Sequence, residues 1–444
     1  MSRINAASPA QVLVAGFAGI ILIGAVLLAL PVASRDGRPL PFVDALFTST
    51  SAVCVTGLQV VDTYDQFSLF GQLVVLCLIQ TGGLGIMTMS TLIFLLLGRR
   101  VTLRSRLLIQ EAMNQLTLEG MVRLIRKVLV LTVAVEGLGA ILLAIRWSFE
   151  MGLPRSLYYG VFHAVSGFCN AGFDLFGGFR SLTGYASDLW VNLVMSGLII
   201  IGGLGFSVVS EVMAHRGGAK LSLNARVVLV TTAALIVAGT VVIFLLELNN
   251  PTSLGPLSPL GKVLAAYFQA VTPRTAGFST LPIGNLRGAT QLFIILLMFI
   301  GASPGSTGGG IKTTTFATLF IAVRSVVTGR EDVEVFERRI PHRTVYRALA
   351  VSMMSLALVI GVAMALSIVC PHGVLPVLFE ATSAFGTVGL STGITPTLPV
   401  LGKILIICTM FAGRVGPLTV ATAIAQRQHA SNAVRYPEER VMVG

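Results

Sequence analysis

Long apolar stretches alternate with shorter mixed segments along this chain, and the alternation occurs four times. Apolar stretches run over 11–32, 66–98, 125–147, 187–213, 227–247, 288–300 continuing through 313–328, 345–369 and 400–426. Each is long enough to cross the ~30 Å hydrocarbon core of a bilayer as a helix, so the pattern predicts eight spans. Between the two stretches of each pair lies a shorter segment of mixed character, such as Val43-Asp44-Ala45-Leu46-Phe47-Thr48. It is too short to cross, and it predicts a half-membrane helix that enters from outside and stops at mid-depth. The C-terminal end of such a helix carries partial negative charge and favours a cation ahead of it.

Each short segment runs into the same kind of motif. The four copies read Ser-Ala-Val-Cys-Val-Thr-Gly-Leu (51–58), Ser-Gly-Phe-Cys-Asn-Ala-Gly-Phe (166–173), Val-Thr-Pro-Arg-Thr-Ala-Gly-Phe (271–278) and Ser-Ala-Phe-Gly-Thr-Val-Gly-Leu (383–390). Their glycines recur about 110 residues apart, a period that marks internal repeats. Phe47, Phe162 and Phe379 stand ten residues before their glycine and Phe268 nine before Gly277, so the third copy is one residue shorter. A second echo follows in Thr81-Gly82-Gly83-Leu84-Gly85, Ile201-Gly202-Gly203-Leu204-Gly205, Ile300-Gly301-Ala302-Ser303-Pro304 and Ala412-Gly413-Arg414-Val415-Gly416. One unit is therefore span, re-entrant loop and span, with a Gly-rich break in the second span. Four units fill 11–98, 121–214, 225–328 and 343–427, and 428–444 is a tail. The fold class expected is an all-α polytopic membrane protein with fourfold pseudosymmetry around one ion pore.

Glycine permits positive φ and close approach of backbones. The carbonyls of Val55-Thr56-Gly57, Asn170-Ala171-Gly172, Thr275-Ala276-Gly277 and Thr387-Val388-Gly389 can then line one axis and replace the water shell of a cation. A single copy would read equally well as small-residue helix packing; four copies in register favour a filter. The segment Gly301, Ala302, Ser303, Pro304, Gly305, Ser306, Thr307, Gly308, Gly309 and Gly310 interrupts the second span of the third unit, where Pro and Gly forbid a continuous helix. At membrane depth it is expected to be a mobile gate. Arg414 is the lone Arg inside the last span, a costly place for a charge and hence a functional candidate. Aligning Gly301 with Gly413 sets the loop and Arg414 face to face across an inner cavity. Glu136 is expected to pair with a neighbouring helix, and Gln80 and Asn192 are further polar residues within spans. His163 and Gln269, on the short helices, are expected to brace the filter rather than bind an ion.

Composition agrees with a membrane protein: 54% hydrophobic and 11% charged residues, against about a quarter charged in soluble chains. The net charge of +12 points to nucleic acid only until it is mapped. Arg99, Arg100, Arg104, Arg106, Arg123, Arg126 and Lys127 form one cluster; Arg216, Lys220 and Arg226 a second; Lys312, Arg324, Arg330, Arg338, Arg339, Arg343 and Arg347 a third; Arg427, Arg435 and Arg440 follow. All fall on one side if the spans alternate, which assigns these loops and both termini to the cytoplasm and argues against nucleic acid. The 11–32 stretch is too long for a cleaved signal and lacks a cleavage site, so it reads as the first span. Cys54, Cys77, Cys169, Cys370 and Cys408 have no metal spacing and are odd in number, which suits buried hydrophobes. Residues 305–313 nearly match a phosphate-binding loop, but Ile311 separates Lys312 from the last glycine and no strand precedes; the glycine pairs near 82 and 202 lack a βαβ context. An enzyme would need convergent acid, base or metal ligands within the spans, and the sequence offers none. A scaffold without transport would not need four intact filter strands.

These segments resemble the Ktr/Trk/HKT superfamily of potassium transporters, closest to its bacterial KtrB-like membrane subunits. The resemblance covers nearly the whole chain. Its carriers are Asp44-Ala45-Leu46-Phe47-Thr48, Val55-Thr56-Gly57-Leu58 with Val61-Asp62-Thr63, Phe268-Gln269-Ala270-Val271-Thr272-Pro273-Arg274-Thr275-Ala276-Gly277-Phe278, Ser383-Ala384-Phe385-Gly386-Thr387-Val388-Gly389-Leu390 and Arg435-Tyr436-Pro437. It implies a channel-like K⁺ transporter of the bacterial cytoplasmic (inner) membrane, in contact with lipid and usually a homodimer with one pore per subunit. It also implies a cytosolic KtrA-like regulatory ring as partner, which alone would carry nucleotide; the basic loops and 435–444 are the expected docking surface. In this superfamily glycine in all four filters goes with K⁺ selectivity and serine in the first with Na⁺ preference, so Gly57 implies K⁺. A Na⁺-permeable or Na⁺-coupled transporter of the same fold is the alternative.

Overall fold

A computed structural model of the chain describes residues 9–85, 121–215 and 221–416. The far end of the 66–98 stretch, Arg99 to Arg106 of the first basic cluster, Arg216, Lys220 and everything after Gly416 lie outside the described residues.

The chain is built from helices. In the first quarter these are α1 (Pro9–Ala29), α2 (Phe42–Val53), the single turn α3 (Thr63–Gln66) and α4 (Leu69–Leu84). There follow α5 (Met121–Met151), α6 (Leu153–Phe168), α7 (Leu189–Leu204) and α8 (Phe206–Ala214). The third group is α9 (Leu223–Glu247), α10 (Pro259–Val271), α11 (Gly288–Phe299) and α12 (Thr313–Val327). The last is α13 (His342–Val369), α14 (Val374–Gly386) and α15 (Val400–Val415). Among the described residues the sheet content is one antiparallel hairpin between α12 and α13, pairing β1 (Glu334–Val335) with β2 (Arg338–Arg339).

Four helices, within α1, α5, α9 and α13, are long and apolar enough to cross a membrane unbroken. Leu22, Ile23 and Val26 of α1, Val130 and Val133 of α5, Val237 and Val241 of α9 and Ile360 and Met364 of α13 are all exposed. Apolar faces of this extent suit hydrocarbon as solvent. The second apolar stretch of each group is broken. Backbone at positive φ ends α4 at Gly85 (82°) and α15 at Gly416 (94°), and at Gly205 (92°) α7 turns by 101° into α8. Only glycine takes such a φ without strain. Between α11 and α12 the break lengthens to a loop, closed by a parallel bridge from Ile300 to Ile311.

The short helices α2, α6, α10 and α14 have 12, 16, 13 and 13 residues, about 18 to 24 Å of rise and less than the ~30 Å of a bilayer core. Hydroxyls and carboxylates start the helices where the hydrophobic pattern resumes: Ser68, Asp188, Ser222 and Ser258 accept first-turn N–H groups of α4, α7, α9 and α10, which satisfies donors that a helix cannot pair internally. Phe47, Phe162, Phe268 and Phe379 are fully buried on the short helices. They anchor each helix so that its C-terminus meets the glycine motif.

Candidate ion pathway

The glycine motifs follow directly on the C-terminal ends of the four short helices. In each, the residue two before the glycine adopts left-handed backbone: Val55 (50°), Asn170 (57°), Thr275 (70°) and Thr387 (49°). The glycines follow at 89°, 71°, 78° and 90°. Three of the intervening residues, Thr56, Ala171 and Ala276, and Val388 as well, are fully buried.

The four motifs meet one another in a closed cycle. A Cβ built on Gly57 would lie 2.5 Å from the Ala171 carbonyl oxygen, on Gly172 2.9 Å from that of Ala276, and on Gly277 2.6 Å from that of Val388. One on Gly389 would strike the Thr56 carbonyl oxygen and so return to the first motif. Real Cβ atoms essentially never come within 3.0 Å of such neighbours. At all four positions a side chain would be strained by φ and would force the neighbouring strand to shift. Asn170 adds a cross-link: its Nδ2 donates to the Arg274 carbonyl (3.2 Å) and to Thr275 Oγ1 (3.3 Å).

A hydroxyl near the end of each short helix holds the strand that follows. Ser51 Oγ accepts from Gly57 N–H at 3.0 Å and Ser383 Oγ from Gly389 N–H at 3.1 Å. Ser166 Oγ and Thr272 Oγ1 instead donate to the carbonyls of Phe173 and Phe278, at 2.7 and 2.5 Å. The backbone carbonyls of the same four residues accept from Thr56, Ala171, Ala276 and Val388 N–H at 2.8 to 3.0 Å. That turn spans one residue fewer in the third copy, which locates the missing residue between Thr272 and Ala276. Three of the motifs open on this hydroxyl residue, and in the third it is the second residue, Thr272, after Val271.

His163 and Gln269 bond to the strands beyond their glycines. His163 Nδ1 lies 2.7 Å from the Tyr159 carbonyl and Nε2 accepts from Leu175 N–H at 3.3 Å, which assigns a neutral tautomer with the proton on Nδ1. Gln269 Oε1 accepts from Ser279 Oγ at 3.4 Å. Two residues beyond the glycines stand Gln59, Asp174, Ser279 and Ser391. Asp174 is the acidic one; its Oδ1 accepts from Phe176 N–H at 2.9 Å.

The loop 301–310 packs against the third and fourth motifs and against the helices of the second group. Gly301 N–H donates to the Ile311 carbonyl (2.8 Å) and Ala302 N–H to that of Gly309 (3.3 Å). Toward α7 and α8, Ser303 and Thr307 N–H donate to the Gly203 and Gly202 carbonyls (3.0 and 3.3 Å), and Gly305 accepts from Phe206 N–H (2.9 Å). The Pro304 carbonyl packs on Gly205, where a Cβ would come to 2.5 Å. Ser306 Oγ donates to the Ser303 carbonyl at 2.6 Å. Toward the fourth motif, Gly309 N–H donates to Thr387 Oγ1 at 3.0 Å. Gly308 leaves no room for a side chain against Thr275, and Gly310 (67°) packs on Gly386.

Arg414 lies at this level. Its guanidinium donates to the carbonyls of Thr307 in the loop and Gly82 in α4, so it ties the loop to the first and fourth groups. Lys312 differs from the sequence reading, which counted it among the cytoplasmic charges. Its Nζ donates to the Gly308 carbonyl at 2.8 Å, so it is folded back onto the loop. The reason is local: the bridge at Ile311 turns the chain under the loop before α12 begins. Glu136 pairs as expected, accepting from Gln80 Nε2 at 3.2 Å; Asn192 caps the turn before α7 through the Tyr185 and Asp188 carbonyls.

The family model for cation transport proteins of the TrkH type matches residues 3–434. The chain belongs to the TrkH family. Members of this family are transport proteins, not enzymes. The chain is 44% identical over 437 residues to Ktr system potassium uptake protein B of Bacillus subtilis, covering 98% of this chain and 97% of that one. It is 39% identical to the Vibrio alginolyticus protein of the same description, over 98% and 94% of the two chains. It is 38% identical to the potassium/sodium uptake protein NtpJ of Enterococcus hirae, over 98% and 97%. Among solved structures, the potassium transporter TrkH of Vibrio parahaemolyticus superposes with a TM-score of 0.75 at 19% identity, over 96% of this chain and 87% of that one. The TrkH fold, with its several apolar helices, is that of a multi-pass membrane transporter.

Proposed function

We propose that this TrkH-family chain is the membrane subunit of a potassium uptake system. The observation that carries the reading is the closed cycle of four glycine motifs, each at the C-terminal end of a half-length helix. In this reading the four units are fourfold pseudosymmetric about one pore. Val55-Thr56-Gly57, Asn170-Ala171-Gly172, Thr275-Ala276-Gly277 and Thr387-Val388-Gly389 supply carbonyl ligands to a dehydrated K⁺, and four helix C-termini add negative potential. Support comes from the close similarity to two chains described as potassium uptake proteins.

The loop 301–310 and Arg414 form the gate. An arginine stays charged at any usable pH, and unit charges 4 Å apart at an effective dielectric constant of 20 interact by about 4 kcal/mol. A guanidinium below the filter therefore opposes a cation while the loop obstructs it. The protein works as a homodimer in the bacterial cytoplasmic membrane, with both termini in the cytoplasm and a nucleotide-binding regulatory ring on the basic loops and tail. The Ktr system to which its relatives belong supports a partner of that kind.

Flux of K⁺, Na⁺ and Rb⁺ in liposomes tests the reading: K⁺ and Rb⁺ should pass and Na⁺ should lag. Equal Na⁺ flux would favour the second reading, a Na⁺-permeable or Na⁺-coupled transporter, which the similarity to NtpJ supports. Truncation after Gln428 should reduce recovery of dimer or ring; normal assembly would remove the tail from the interface.

A further inference from the structure

Three residues before the filter hydroxyls Ser51, Ser166, Thr272 and Ser383, the short helices carry four unlike polar residues: Thr48, His163, Gln269 and Glu380. Thr48 bonds back to its own helix, at the Asp44 carbonyl. The other three reach forward to the strand beyond the glycine. Only Glu380 can carry a negative charge there.

Glu380 is fully buried. Its Oε2 accepts from Ser391 Oγ at 2.9 Å, and its Oε1 accepts from Thr395 Oγ1. Ser391 Oγ in turn accepts from Gly393 N–H at 3.0 Å, where the backbone takes a φ of 102°. The carboxylate thus holds the 391–395 turn in shape. Yet among the described residues no Lys, Arg or His forms an ion pair with it. A carboxylate removed from water is unfavourable unless an opposite charge is near, and two hydroxyl bonds offset only part of that cost. The strand it supports begins two residues after Gly389, so a cation in the outer limb of the filter is available as its partner.

We propose that Glu380 is the fixed counter-charge of the cation in the outer limb of the filter. It acts as a positioning residue through Ser391 and Thr395, and its charge acts on the ion through space. Among the four helix positions Glu380 alone is acidic, and in the strands the second repeat adds Asp174 two residues beyond Gly172, so the limb carries acids from the second and fourth repeats. This rests on the pore reading above and adds to it a residue that sets K⁺ affinity.

The test uses the full-length protein in liposomes. Glu380→Gln keeps the size and one acceptor oxygen while removing the charge. The expected result is a half-saturating K⁺ concentration raised about three- to tenfold, with maximal flux and K⁺/Na⁺ ratio little changed. Glu380→Asp, which keeps the charge, should stay nearer to the wild type. An unchanged half-saturation in Glu380→Gln overturns the proposal, because a purely structural brace predicts that outcome. Should Glu380→Gln transport too poorly to measure, K⁺-dependent thermal stabilisation in detergent reads binding directly. There the K⁺ concentration for half the effect should rise by the same factor, and no rise overturns the proposal. Wild-type protein without K⁺ flux would sink the transport reading instead, and the role of Glu380 with it.

Discussion

At the level of the glycine motifs the four repeats are near copies, and one helix turn below they are not. Gly57, Gly172, Gly277 and Gly389 share φ values of 71° to 90° and each packs on the next strand's carbonyl. Beneath them, Gly82, Gly202 and Gly413 each lie against a carbonyl at the end of their own repeat's short helix, at Val53, Phe168 and Phe385. Gly301 instead lies against Gly309 of its own loop. A spherical ion stripped of water needs similar ligands from every side, so no strand is free to drift. In the proposed gate an obstruction needs only one arm, and it is the third repeat that trades helix for loop. Arg414 is asymmetric for the same reason: one guanidinium suffices to hold that arm.

The largest expected effect comes from breaking the equivalence of the glycines. Gly57→Ser sets a side chain at a φ of 89° and against the Ala171 carbonyl. K⁺/Na⁺ discrimination measured by liposome flux should fall at least about tenfold, or ~1.4 kcal/mol, while the protein still folds. An unchanged flux ratio would mean that the cycle of glycines is packing alone.

The next effect should appear only on the asymmetric side. Removing 305–309 should raise K⁺ flux on the order of tenfold and leave the K⁺/Na⁺ ratio alone. Arg414→Ala should also raise flux, and the two changes together should be less than additive because they remove one barrier. Lower flux in a folded, loop-shortened protein would make the loop a packing feature.

A smaller effect separates the two kinds of inner glycine. Gly202→Ala drives a Cβ into the Phe168 carbonyl and should cost about 1–3 kcal/mol of stability, read as a lower thermal unfolding temperature in detergent. Gly301→Ala meets only the loop, so flux should rise with a smaller thermal loss. Equal thermal losses would erase the distinction between the repeats. Smallest of all, Ser383→Ala leaves the Gly389 N–H without its hydroxyl acceptor, about 1 kcal/mol. It should lower the K⁺/Na⁺ ratio by at most roughly the fivefold which that energy represents; no change would leave the hydroxyl without a role in selectivity.

What could be read from the chain follows from local physics. Hydrophobic runs of a given length predict long or half-length helices, because rise per residue is constant. The recurrent Phe and Gly predict four copies of one strand, and the one-residue deficit of the third copy is visible before its place between Thr272 and Ala276 is known. The breaks at Gly85, Gly205 and Gly416 are likewise local, since positive φ belongs to glycine. Lys312 was misread for a related reason: a Lys at the start of an amphipathic helix looks like a cytoplasmic charge until the bridge at Ile311 folds it back.

Other features exist only once distant residues converge. The Arg414 bond to Thr307 follows the alignment of Gly301 with Gly413, but the order in which the glycine motifs touch, the Arg414 bond to Gly82 and the ion pair of Lys403 with Asp44 at 2.5 Å each join parts of the chain that no periodicity connects. That last pair bridges α15 and α2, where the fourth repeat meets the first without a peptide link. Glu380 belongs here too: in sequence it is one acid on an apolar helix, and burial with two hydroxyl partners gives it meaning. Sequence by itself determined the units and their glycines, because helix length and φ are settled within a few residues. Tertiary structure alone decided which carbonyls, hydroxyls and charges face one another, because those contacts join glycine motifs and helices far apart in the chain.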